Sequence, residues 1–199
     1  MKKMFKTAAV LAALLAMTNF IACSSGDDDN SEPSSGSSGT DSGSSGSETA
    51  TITASWNFNA ASLTAAGLTT TAAKPSADKE IVVTSGSGAT LTILAQTGKS
   101  LKIQSSESGG LNIGAGTSET EVLSITVDGA CTLSFTGKGS SGSTFATTKP
   151  NSFSVAGNKV YTRAEASETS EQTWTYAISA AGTYKIAASG MIFTALTCK

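Results

Sequence analysis

The chemistry open to this 199-residue chain is bounded first by a missing residue type, since it contains no histidine. Ser-His-Asp and Cys-His nucleophile pairs are excluded, as is any zinc site built on imidazole. Three cysteines remain, Cys23, Cys131 and Cys198. The carboxylates that could flank a glycosidic bond, Glu119, Glu121, Asp128, Glu165, Glu168 and Glu171, fall in turns or at strand ends. Solvated surface charge is the ordinary outcome there, not an acid and base held about 5 to 9.5 Å apart across a cleft. The glycine-rich stretches "SGSGAT" (85–90) and "GKGSSGS" (137–143) lack the GxxxxGK[ST] spacing of a phosphate loop and read as hairpin turns. No metal, no cofactor and no catalytic centre is expected.

Aromatic side chains are the remaining means of binding a ligand. A sugar ring has an apolar face and a polar rim, so a site for it combines Trp or Tyr with amide, carboxylate or cationic groups. The stock is Trp56, Trp174, Tyr161, Tyr176 and Tyr184. Alternation places Trp56 with Phe58, and Trp174 with Tyr176 and Ile178, which are stripes of the kind that face a core. Tyr161 is less committed and faces the same way as Arg163, the chain's single arginine. Tyr161, Arg163 and Trp174 are therefore the expected ligand-binding residues, on a wet surface.

The elements that must position these residues are strands. Short alternating runs recur about every ten residues between Gly, Ser, Thr and Asn, the pattern of an antiparallel sandwich or barrel. Residues 121–127 put Leu123, Ile125 and Val127 on one face, Asp128-Gly129 gives a tight-hairpin signal, and 130–136 returns with Cys131, Leu133 and Phe135 together. Residues 173–179, 183–188 and 191–198 continue the alternation. One or two helical turns fit residues 60–67. The span 51–199 is the size of one domain and carries nine lysines and Arg163 against nine carboxylates, a net +1. That leaves no electrostatic footprint for nucleic acid. Cys131 faces the core, and the last strand ends at Cys198. In an oxidising compartment the two either bridge, closing a long loop worth about 4 kcal/mol, or stay as buried free thiols.

Ahead of this domain, Lys2, Lys3 and Lys6 precede an apolar run, Thr7 to Ala22. A positive n-region before a short apolar core is the layout of a signal peptide, expected over 1–22 and too short to span a bilayer. The run Phe20-Ile21-Ala22-Cys23 resembles the lipobox of bacterial lipoproteins, with Phe20 where leucine is commonest. The resemblance implies that Cys23 is acylated, and two or more acyl chains anchor stably. Residues 24–50 hold eleven serines, five glycines, six carboxylates and no basic residue. With no apolar surface to offset ordering entropy, 23–50 is expected to be an unstructured tether of roughly 30 Å root-mean-square reach. Asp27-Asp28-Asp29 either resembles the acidic export signal of some surface lipoproteins or simply solubilises the tether. The expected location is the outer membrane or cell surface, with the membrane as partner through the anchor.

Within 51–199, "SWNF", "GLTTTA", "VLSITVDGACTLSFTGKGSS" and "SAAGTYKIAASGMIFTAL" resemble a non-catalytic β-sandwich module of secreted pectate-lyase-like proteins. The resemblance implies an all-β, antiparallel, jelly-roll-like sandwich with a carbohydrate-associated role. No segment of the 199 residues is expected to be the catalytic partner that such modules flank. The expected function is a membrane-anchored lipoprotein that binds a polysaccharide without cutting it. The alternative is a structural or adhesive surface lipoprotein that binds a protein partner.

Overall fold

The computed structural model describes residues 51–105, 109–140, 149 and 151–199, all within the unit Gly46–Lys199. While 137–139 of the glycine stretch belong to the strand Cys131–Gly139, the expected leader 1–22, Cys23, the expected tether to residue 50 and residues 141–143 of that stretch lie outside the described residues. Thirteen strands are found among them: β1 (Thr53–Asn57), β2 (Lys79–Ile81), β3 (Ser85–Ser87), β4 (Ala89–Ile93), β5 (Leu101–Ile103), β6 (Leu111–Ile113), β7 (Thr120–Val127), β8 (Cys131–Gly139), β9 (Ser152–Val155), β10 (Asn158–Thr162), β11 (Gln172–Ile178), β12 (Gly182–Ser189) and β13 (Met191–Cys198). The fold is an all-β antiparallel sandwich. One sheet runs β11, β8, β13, β1, β3, with β6 on β13 and β5 on β6. The other runs β10, β9, β12, β7, β4, β2. Successive strands mostly change sheet: β7 lies in the second, β8 in the first, β9 in the second, β11 in the first, β12 in the second and β13 in the first.

This wrapping corrects two turn readings. Asp128-Gly129 does not close a hairpin, because β7 pairs with β12 and β4 while β8 pairs with β13 and β11. Gly129 does not take the positive φ that a type I′ turn demands, and the segment is a corner between the sheets. The stretch at 85–90 is likewise no simple loop, since Ser85–Ser87 pairs with β1. Gly86 there has φ +87°, and a Cβ on it would sit 1.4 Å from the Thr53 carbonyl oxygen, so only glycine lets the two backbones approach. A two-residue hairpin that the sequence did not advertise joins β9 to β10, with Ala156 (φ 49°) and Gly157 (φ 78°) both left-handed.

The core follows the alternation. Phe135 and Phe193 from the first sheet meet Phe153 from the second, with ring centroids 4.9 to 5.7 Å apart and all three fully buried. Rings at this spacing add contact energy beyond their burial. Trp56 on β1 is also buried, and its indole Nε1 donates to the Ile81 carbonyl on β2 at 3.1 Å, which ties one sheet to the other. The helical turns expected near 60–67 form α1 (Ala60–Ala65), capped by Asn59, whose Oδ1 accepts from the Ser62 amide at 2.9 Å. Its Leu63 is buried.

Cys131 and Cys198 form a disulfide, with Cα atoms 5.9 Å apart and 67 residues of sequence separation. The bond joins the start of β8 to the end of its neighbour β13 and lies inside the core. Replacing both cysteines with alanine is expected to lower the unfolding free energy by about 4 kcal/mol, because the unfolded chain regains the closed loop's entropy. Urea unfolding of the variant against the oxidised protein measures it.

Candidate functional site

The residues expected to bind a ligand are gathered at the open side of the sandwich, where β10 ends one sheet and β11 the other. Tyr161 and Trp174 take inward positions covered on only one side, so both are half-buried. The Tyr161 and Trp174 rings lie 4.5 Å apart, and Trp174 sits edge-on to Phe153 at 5.4 Å. One step along the seam, Asn158 Nδ2 donates to the Tyr176 hydroxyl at 2.9 Å. These contacts close the edge of the core.

Arg163 corrects the expectation of a wet Tyr161–Arg163 pair. It is buried at 5 % exposure, and its guanidinium is spent on structure. Nε donates to the Glu165 carbonyl at 2.9 Å, Nη1 to Asn151 Oδ1 at 3.2 Å, and Nη2 to the Ala166 carbonyl. The planar fork holds the 163–168 loop against Asn151. Tyr161 is bound to the same loop: its hydroxyl donates to Glu168 Oε2 at 3.2 Å, which also accepts from the Ala164 amide at 3.0 Å. Burial, with the Glu168 charge and hydrogen bond, pushes the Tyr161 phenol up to about 12 against the partial opposition of Arg163.

A second surface has the character of a binding site. It is a groove of about 580 Å³ on the outer face of the first sheet, lined by Ser55, Asn57, Thr84, Thr136, Glu171 and Thr194 among others. The outward positions of its strands carry hydroxyls because the inward ones carry the core. Ser55 faces Thr197 across the β1–β13 ladder, and Ser134 flanks Thr197 from β8. A bulge between Phe193 and Ala195 turns Thr194 out of the regular alternation. Its hydroxyl lies 2.8 Å from Glu171 Oε2 and 3.3 Å from the Thr136 carbonyl. The Asn57 backbone N–H donates to Thr84 Oγ1 at 3.0 Å, and the Ser55 and Ser85 hydroxyls are 2.7 Å apart. The floor is thus hydroxyl, amide and carboxylate on a hydrogen-bonded sheet.

The expected carboxylates fall into separate environments. Glu119 accepts from Ser154 and pairs with Lys159 on the outer face of the second sheet. Burial alone would raise its pKa, but the hydrogen bonds from Lys159 and Ser154 and the lysine charge outweigh it, and the carboxyl sits below its ordinary value. That is opposite to what a general acid needs. Glu165 and Glu168 belong to the Arg163 loop, and Glu171 stands in the groove. Among the described residues no group of three His, Cys, Asp or Glu is placed to hold a metal, and no helix is long and apolar enough to cross a membrane. No protein-family model matches the chain, and comparison with curated proteins returns no match.

Two outcomes check the seam. Arg163→Ala strands the Asn151 oxygen and two carbonyls that the guanidinium now satisfies, and is expected to destabilise the fold by about 3 kcal/mol in urea unfolding. Tyr161 has a folded-state pKa above its ordinary value of 10, so its contribution is complete below that pH. It is lost as the pH climbs toward about 12. Stability measured over that window should decline in the native protein and less so in Tyr161→Phe.

Proposed function

We propose that this chain is a lipid-anchored surface lipoprotein whose folded part binds a glycan without cleaving it, through the groove on the first sheet. The observation that carries the reading is the composition of that groove: Ser55, Asn57, Thr84, Thr136, Glu171 and Thr194 offer donors and acceptors side by side on a sheet. A glycan presents a matching series of hydroxyls, each able to donate and accept. The expected anchor at Cys23 and the resemblance of 51–199 to a carbohydrate-associated module point the same way. A protein partner is less well served. Val82, at 70 % exposure, is the large apolar side chain left in solvent among the described residues, whereas protein interfaces centre on buried aromatic or apolar anchors.

Affinity electrophoresis against xylan, pectin and mucin tests the reading. Retardation on at least one is expected, and it should weaken in Glu171→Gln and in Asn57→Ala. Loss of a hydrogen bond involving the Glu171 carboxylate corresponds to roughly tenfold or more in affinity. No retardation in any gel removes the proposal. Mass spectrometry of the native protein tests the anchor, which requires a diacyl or triacyl group on an N-terminal Cys23.

A further inference from the structure

The groove does not end at Ser55 and Thr197. A second hollow of about 340 Å³, lined by Thr53, Ser85, Gly86 and Lys199, shares those two residues with the first. The shared pair is a cross-strand pair, Ser55 opposite Thr197, so the two hollows meet over one rung of the β1–β13 ladder. Together they follow the chain from Thr194 on β13 to Lys199 just beyond its end, which at about 3.3 Å per residue is roughly 17 Å. A single pyranose does not fill such a length.

The distribution of charge along this path is uneven. Glu171 lines the first hollow and Lys199 the second, and the other side chains that line the two are uncharged. Between these ends lie Asn57, Thr84, Ser55, Thr197, Thr53 and Ser85, with hydroxyl or amide groups only. A ligand with a negative charge on every unit would find no counter-charge along the middle and would meet Glu171 at one end, with Lys199 alone to offset it at the other. A ligand with uncharged hydroxyls on every unit would meet a partner at each step.

Resting on the glycan reading above, we infer that the two hollows form one extended site for a linear, uncharged oligosaccharide of several units lying along β13. The polyuronate that the resemblance to pectate-lyase-associated modules suggests is the poorer fit. Affinity gained by a longer ligand comes from contacts in the second hollow, for which the translational cost has already been met by the first.

Isothermal titration of the full protein with xylo-oligosaccharides and cello-oligosaccharides of one to six units provides the test, with oligogalacturonides of the same lengths as the charged arm. Affinity for at least one neutral series should rise by about tenfold or more from one unit to the length that fills both hollows, then level off. Thr53→Val should weaken the long neutral ligands and leave the shortest ones that bind unchanged, while Asn57→Ala weakens both. Flat affinity with length overturns the extended site and leaves the glycan reading standing. Oligogalacturonides that bind as tightly as the neutral chains overturn the charge argument. An absence of binding in every arm overturns the glycan reading itself.

Discussion

Strand β13 is the member on which the first sheet depends. Along one edge it pairs with β8 for its whole length, and along the other it pairs first with β6 and then with β1. Both rows of its backbone groups are therefore satisfied. Without it, β8 and β1 would each expose an unpaired edge inside the sheet. Its inward side chains Phe193, Leu196 and Cys198 are fully buried, one in the aromatic cluster and one in the disulfide. Its outward side chains Thr194 and Thr197 line the groove. The same strand thus closes the core and lines the groove, so the position of the hydroxyls is fixed by packing beneath them.

The opposite problem arises at the edge strands. β10 and β11 end their sheets on the same side of the sandwich, and inward side chains there have a neighbour on one flank only. An aliphatic residue would leave its outer flank wet. Tyr and Trp suit the position because one part of the ring packs while the polar end reaches a partner. The Tyr161 hydroxyl finds Glu168, and Tyr176 accepts from Asn158. Buried Arg163 then pins the loop that carries Glu168, so the seam and loop support each other through one set of hydrogen bonds.

Strand alternation was readable from the chain because each sheet has one wet face and one dry one, and a period of two records that directly. The buried faces of 121–127, 130–136 and 191–198 follow from it. Connectivity was harder to read. Asp-Gly between two alternating strands signals a turn, but a turn residue cannot tell whether the second strand returns beside the first or crosses to the other sheet. Gly86 was similarly ambiguous, since its need for glycine comes from Thr53, far away in sequence. The aromatic residues were ambiguous for a physical reason: on an edge strand a core position and a surface platform have the same sequence pattern. The groove had a signal, the outward hydroxyls Thr132, Ser134 and Thr136 on β8, Thr173 and Thr175 on β11, and Thr194 and Thr197 on β13. Its weakness as a signal is that β-branched threonine is a favoured strand residue wherever a sheet meets water.

That ambiguity has a consequence for how such a surface can recognise anything. A threonine on a sheet is stiff about its first side-chain torsion, so little conformational entropy remains to be lost when a ligand hydrogen-bonds to it. Each neutral hydrogen bond contributes only about 1 kcal/mol, because water satisfied the same groups beforehand. A floor of hydroxyls with no exposed aromatic platform therefore cannot hold a small ligand tightly. It gains affinity only by summing many weak contacts from groups already in place, which favours a long ligand in register with the strand. On the proposed reading, the rigidity that β13 receives from the core lowers the ordering cost that such a sum has to exceed.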